Sequence, residues 1–315
     1  MLVTEYIFPP QSLFAAAAAP SFSLSRLPQA ILWLWVHTLQ LGLANQTLPH
    51  AIAEDRINHP DRPLPAGRIS VRTARTLRWT MIPFCLLLSA AYGPRTMLTS
   101  FGASLFMLSY NEGGGAGSHW SVRNALNAVG YALAEAGATL VSCMFLSPLR
   151  LVHFLHAPIG QSERDVDRTL CIAVALSAGI ILTTIHTQDF KDMMGDAAIG
   201  RITLPIAYPT LSRVATAFVL IAWSWGVSRT WRLDDVMAAV MGILALVVGV
   251  SFIARTNASA DKVSFYWYNV SIQLTADPTQ MSDAIIARCG FLLYICSLGT
   301  TGCAWNRDQL FEVWF

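Results

Sequence analysis

Apolar stretches about twenty residues long recur through the whole chain, and they decide what it can fold into. They lie near 4–21, 28–47, 73–93, 95–111, 122–147, 168–187, 210–228, 234–254 and 284–304. A helix crossing the hydrocarbon core needs about 20 such residues, because the core is about 30 Å thick and each residue rises about 1.5 Å. Only 13% of the 315 residues are charged, where a soluble domain carries about 25%. Lipid is therefore the expected solvent. No strand-type alternation and no repeat of fixed period competes with this reading, and no long linker divides the chain. The expectation is an all-α fold, a polytopic membrane helical bundle of about nine transmembrane helices in a single domain over residues 1–315.

Other classes are poorly supported. The net charge is +2, with no basic stripe, zinc spacing or RNA-binding signature, so nucleic acid is not an expected partner. The six cysteines (Cys85, Cys143, Cys171, Cys289, Cys296 and Cys303) have no ligand spacing and fall in or beside apolar runs, as small fillers do. The small-residue run Ala15 to Ala19 resembles a cleavage region, but a basic n-region is missing and Pro9-Pro10 interrupts the apolar stretch. Cleavage is not expected.

Nine crossings put the connections after the second, fourth, sixth and eighth helices on one face, together with the N-terminus. That face holds about thirteen of the 21 Lys and Arg. Arg56, Arg62, Arg68, Arg72, Arg75 and Arg78 cluster just after the second run. The excess of positive charge assigns this face to the cytosol and the C-terminus to the lumen.

The same face collects the acidic residues. One cluster reads His186-Thr187-Gln188-Asp189-Phe190-Lys191-Asp192-Met193-Met194-Gly195-Asp196 and continues to Gly200-Arg201-Ile202-Thr203-Leu204-Pro205. Asp189, Asp192 and Asp196 are spaced by three and four residues, which puts them on one face of a helix end. Three carboxylates so close repel unless a divalent cation neutralises them. Hard oxygen donors suit Mg²⁺, which tends to bind substrate phosphate as well. Lys191 and Arg201 could meet that phosphate, Arg as a bidentate fork and Lys as a point charge. The bland alternative is a solvated helix cap with surface ion pairs.

A second cluster follows the second run: Asn45-Gln46, Glu54-Asp55-Arg56-Ile57-Asn58 and Pro60-Asp61-Arg62-Pro63-Leu64-Pro65-Ala66-Gly67-Arg68. The amide of Asn45 can ligate a metal or cap its helix, and Glu54 and Asp55 add adjacent carboxylates. The proline spacing predicts an extended, rigid loop that fixes Arg62 and Arg68 near a headgroup. Between the clusters lies Tyr110-Asn111-Glu112-Gly113-Gly114-Gly115-Ala116-Gly117, then Arg123, Asn124 and Asn127 at the start of the fifth run. Glycines there could admit a phosphate or simply form a loop. Glu135 lies deeper among Ala and Gly, where an acid is either functional or tied to a neighbouring helix.

The two acidic clusters, the nine runs and the Arg62-Pro63-Leu64-Pro65-Ala66-Gly67-Arg68 loop resemble the UbiA superfamily of intramembrane prenyltransferases, over essentially the whole chain. The resemblance implies a helical bundle, two Asp-rich motifs holding Mg²⁺, and an isoprenoid diphosphate with its tail in a central cavity. It implies catalytic metal roles for Asn45, Asp192 and Asp196, with Asp189, Glu54 and Asp55 completing the ligands. Lys191, Arg201, Arg62, Arg68, Arg123 and Asn124 would face the diphosphate. Tyr110, Asn127, Tyr131, Glu135 and Tyr268 would line the cavity. The first motif departs from the family pattern, since Pro49 and Ala53 stand where the usual Asp residues fall four and eight positions after the Asn. That variant, with the stretch from Asp261-Lys262 to Tyr268-Asn269, is similar to the fungal UbiA-type terpene cyclases of fumagillin-like sesquiterpene and cyathane-like diterpene pathways. The resemblance implies an endoplasmic reticulum protein with its site facing the cytosol.

Three functions fit these residues. A cyclase lets the tail's own double bonds attack the allylic cation, a transferase admits an aromatic acceptor, and a cation channel or transporter would use the acids as ion sites. The acids sit at helix ends on one face, with no inverted repeat, which disfavours transport. The altered first motif and the fungal resemblance favour the cyclase over the transferase, and the cyathane-like resemblance implies geranylgeranyl diphosphate ahead of farnesyl diphosphate.

Overall fold

The computed structural model describes residues 26–143 and 162–276, and every regular element among them is helical. In chain order they are α1 (Leu27–Gln46), the short α2 (Pro49–Asn58), α3 (Val71–Ala90), α4 (Pro94–Asn111), α5 (Trp120–Cys143) and α6 (Ser162–Thr184). The short α7 (Met193–Ala198) and α8 (Leu204–Ala207) follow, then α9 (Pro209–Thr230), α10 (Asp235–Ala254) and α11 (Ala258–Ala276). Proline opens α1, α2, α4, α8 and α9, where its missing N–H costs no helical bond. Ser70 and Asp234 cap α3 and α10 by accepting the Thr73 and Met237 N–H groups at 3.1 and 2.9 Å.

Around the bundle, α1 packs on α3 and α5, α3 on α4, α4 on α5, and α5 on α6; α9 pairs with α10, and α11 closes against α10. The outward faces are apolar: Phe84 and Leu87 on α3, Leu98 and Phe101 on α4, Phe218 and Trp225 on α9, and Ile243 and Val247 on α10 are all exposed. Such faces want hydrocarbon rather than water.

Inside, polar groups meet one another. The buried Trp33 donates its indole N–H to Ser89 Oγ at 2.8 Å, and His37 stacks on its ring with 3.8 Å between centroids. His37 Nε2 meets Ser100 Oγ at 2.8 Å, Gln40 donates to Ser104 Oγ at 3.3 Å, and Asn111 donates to Asn45 Oδ1 at 3.0 Å. These three bonds form a polar ladder between α1 and α4 that ends at Asn45. Trp33 fits because residue 137 is glycine: a Cβ there would lie 2.0 Å from its ring. The other main core gathers Val227, Met241, Val248, Phe252 and Tyr268 from α9, α10 and α11.

The structure corrects several expectations. Three helices among the described residues are long and apolar enough to cross a membrane: Cys171–Asp189, Pro209–Thr230 and Asp235–Ala254. That criterion, applied to the described residues, does not establish the count of nine. The runs near 4–21 and 284–304 lie outside the described residues. Helix α11 is not among the nine runs. Its polar residues hide it, and Arg213 pairs its Asp261 through bonds of 2.6 and 2.7 Å. The proline-spaced segment is not extended. It folds as consecutive turns, with Ala66 N–H bonded to Arg62 O at 2.9 Å and Arg68 N–H to Pro63 O at 2.8 Å.

Candidate active site

The second acidic motif is a broken helix. A 3₁₀ turn, Ile185–Asp189, continues α6, and α7 restarts at Met193. Asp189 ends the turn, Asp192 precedes α7, and Asp196 sits within it, so the carboxylates come from three local conformations. The break is held from behind. Arg213 stacks on Phe190 with 4.3 Å to the ring centroid and donates to the carbonyls of Phe252 and Arg255 at 2.7 and 3.1 Å.

Cations from elsewhere in the fold meet each carboxylate. Arg123, buried at the start of α5, forms an ion pair with the buried Asp189. Arg201 reaches Asp196 Oδ1 at 2.7 Å and Glu54 Oε2 at 2.9 Å, tying α2 to the second motif. Lys191 lies 2.7 Å from Asp192 Oδ2, and His59 Nε2 lies 3.5 Å from its Oδ1. Burial opposes charge on Asp192, yet the hydrogen bond from His59 and the field of Lys191 hold its pKa down at about 2. Burial dominates at Asp196 and pushes it up to about 6 despite Arg201.

Glu54, Asp189, Asp192, Asp196, Lys191, Arg123 and Arg201 therefore converge. Others do not. Asp55 points round α2 to Arg62, 2.5 Å away, and burial raises it to about 6 against that pairing. Adjacent residues on a helix do not share a face, which separates Glu54 from Asp55. Arg68 is exposed and donates to the Asp61 carbonyl. Asn45 bonds to Asn111 at the end of the ladder.

From Arg123 a polar stripe runs into the bundle along α5 at steps of four: Arg123, Asn127, Tyr131, Glu135. It covers thirteen residues, a rise of about 18 Å. Tyr110 lies in the field of Arg123, Arg201 and Asp189, and Tyr131 in that of Tyr110. Tyr268 is buried and shares a 2.7 Å hydrogen bond with Thr184. Ser177 of α6 donates to Glu135 Oε1 at 3.1 Å. Asn124 Oδ1, Asn127 Nδ2, Asp196 Oδ2, Arg201 Nε and Thr203 Oγ1 are buried without a hydrogen-bond partner. Such atoms can be satisfied by water, an ion or a polar ligand.

No three His, Cys, Asp or Glu side chains among the described residues sit together as a metal-binding group. The donor chemistry nevertheless fits a hard divalent cation. The converging acids offer oxygen alone, and Asp196 Oδ2 keeps its lone pairs free. Asn58 and Gly195, which join α2 to the Asp192–Asp196 turn, are not singled out by the sequence pattern of acids. A signal is present, since Asn58 lies four residues after Glu54 on the same face of α2.

The model of the UbiA prenyltransferase family matches residues 7–270. Fumagillin beta-trans-bergamotene synthase af520 of Aspergillus fumigatus is 30% identical over 260 residues, 82% of each chain. Diterpene cyclase eriG and polyprenyl transferase eriF of Hericium erinaceus are 26% and 25% identical. Each match covers 82% of this chain, and 78% and 84% of the two relatives. Among solved structures, the UbiA homolog of Aeropyrum pernix K1 aligns with a TM-score of 0.63 at 16% identity, over 89% of this chain and 96% of that one. The Archaeoglobus fulgidus homolog bound to GPP and Mg²⁺ aligns with a TM-score of 0.57 at 15% identity, over 87% and 94%. At such identity the structural likeness speaks for the fold.

Proposed function

The chain belongs to the UbiA prenyltransferase family, and we propose that it is a Mg²⁺-dependent membrane terpene cyclase that ionises an allylic isoprenoid diphosphate and closes the carbocation on its own tail. The observation that carries this reading is the convergence of Arg123 and Arg201 with Glu54, Asp189 and Asp196 at the mouth of the α5 stripe.

Asp189, Asp192 and Asp196 would hold Mg²⁺, with Glu54 from α2. When bound, the ion supplies Lewis-acid stabilisation of the leaving diphosphate. The protein's own cations share that task. Arg123 and Arg201 carry planar forks suited to phosphate oxygens, and Lys191 adds a point charge. Charge developing on the bridging oxygen is stabilised by donors already fixed in place, so little reorganisation is needed as the C1–O bond breaks. The allylic cation must then be kept from water. The inner stripe turns from Asn127 to Tyr131, and Tyr268 is buried nearby in the bundle. Aromatic faces of this kind stabilise a desolvated cation by about 2 kcal/mol or more.

The two cyclases among the relatives support intramolecular closure, as does the loss of carboxylates at Pro49 and Ala53. A transferase that moves the isoprenyl group to an aromatic acceptor is the second reading, favoured by the similarity to the polyprenyl transferase. In a eukaryotic cell the enzyme would sit in the endoplasmic reticulum with this site towards the cytosol. Purified protein incubated with Mg²⁺ and geranylgeranyl or farnesyl diphosphate, without acceptor, separates the readings. The cyclase gives a cyclic hydrocarbon and free diphosphate. Intact substrate until 4-hydroxybenzoate is added, followed by a prenylated aromatic, would establish the transferase instead.

A further inference from the structure

Asn58 is the last residue of α2, and its side-chain amide spans the turn between two candidate metal ligands. Its Nδ2 donates to the carbonyl of Asp192 at 3.2 Å, and its Oδ1 accepts the Gly195 N–H at 3.0 Å. One planar amide thus closes a two-bond ring with the backbone of residues 192–195, as a paired strand would. The fit is possible only without a side chain at 195. A Cβ there would lie 2.2 Å from Nδ2 and 2.5 Å from Oδ1 of Asn58. Gly195 is not in the left-handed region, so close approach, rather than backbone freedom, calls for glycine here.

Two further contacts act in the same direction. Glu54, one turn earlier on α2, meets the Arg201 that also holds Asp196, and His59, the next residue after Asn58, meets Asp192. Helix α2 is therefore docked on the second motif along one face. Asn58 makes the part of that dock that touches backbone alone.

We infer that Asn58 is a positioning residue. It fixes the turn so that the carboxylates of Asp192 and Asp196 are both presented to a Mg²⁺–diphosphate ligand, and Gly195 is its required counterpart. This rests on the reading of the site as a Mg²⁺–diphosphate site and adds a residue outside the acidic and basic set that defines it. Asn58 acts through Asp192 and Asp196, so its loss should change metal and ligand affinity more than chemistry. Groups that orient metal ligands typically contribute 10–100-fold to metal affinity.

The test uses the full-length protein in nanodiscs as wild type, Asn58→Ala, Gly195→Ala and the double variant. Thermal stabilisation by Mg²⁺ with inorganic diphosphate is titrated alongside turnover. Asn58→Ala should raise the half-saturating Mg²⁺ concentration at least about tenfold and raise KM with a smaller change in kcat. The melting temperature without ligand should stay near that of wild type. Gly195→Ala should show the same shift, and the double variant should be no worse than the poorer single one, because both changes break one contact. Wild-type Mg²⁺ titration and KM in Asn58→Ala, or strictly additive losses, overturn the inference while the site reading stands. A wild-type protein that is not stabilised by Mg²⁺ and diphosphate overturns both.

Discussion

Arg201 holds Glu54 and Asp196 together: one guanidinium nitrogen lies 2.9 Å from the first and 2.7 Å from the second. The residues come from opposite ends of the motif pattern, and a single cation brings them to one point. An anionic ligand arriving there meets a fixed positive group whose counter-charges are already in place.

Asp192→Ala and Asp196→Ala should each reduce turnover to below about 1% of wild type, the scale expected when a preorganised charge at the reacting centre is removed. Neither carboxylate packs in an apolar core, so expression and membrane insertion should persist. Steady-state assays on purified variants decide it, and near-wild-type rates in either would remove the carboxylates from the site.

Turnover should require Mg²⁺ or Mn²⁺ and stop reversibly with EDTA. The converging donors are oxygens, which favour hard cations over Zn²⁺. Activity that survives chelation, or that Zn²⁺ alone supports, would contradict this donor set.

Ala66 and Ala197 are both exposed, one before α3 and one at the end of α7. Placed singly as cysteine in a cysteine-free background, both should label from the same side of sealed vesicles, the cytosolic side. Labelling from opposite sides would separate the two clusters.

The Arg213–Asp261 pair is buried and bidentate. Asp261→Ala should cost about 3–5 kcal/mol, because it leaves a guanidinium buried without its partner. Replacing both residues by Leu or Met should recover much of that loss. Thermal denaturation in detergent measures both, and turnover should fall with the single change because Arg213 also holds Phe190 beside Asp189.

Much of the site is legible in the amino-acid sequence, for a physical reason. Charged side chains in an apolar chain are costly, so Asp189, Asp192, Asp196, Arg123 and Arg201 stand out by contrast. Pairings across the chain are not legible. Asn58 and Gly195 are 137 residues apart, and nothing local to either names the other. Helix α11 is hidden for the opposite reason. Asp261 breaks the apolar pattern, and its partner Arg213 is 48 residues away. The prolines at 60, 63 and 65 correctly exclude helix, but their spacing fits a chain of turns as well as an extended loop.

The ladder between α1 and α4 also bears on how the protein is made. Its partners, His37 with Ser100, Gln40 with Ser104 and Asn45 with Asn111, are 63 to 66 residues apart. Helix α1 leaves the ribosome well before the groups that satisfy it exist. His37, Ser104 and Asn111 also bond to a carbonyl of their own helix, but the bonds between helices are missing while α1 is alone, and polar groups in lipid are costly. Helix α1 is therefore expected to gain its full stability in the bilayer only once α4 is synthesised. Biogenesis of the amino-terminal half is then paced by the arrival of Ser100, Ser104 and Asn111, and a nascent chain stalled before them should be a substrate for quality control.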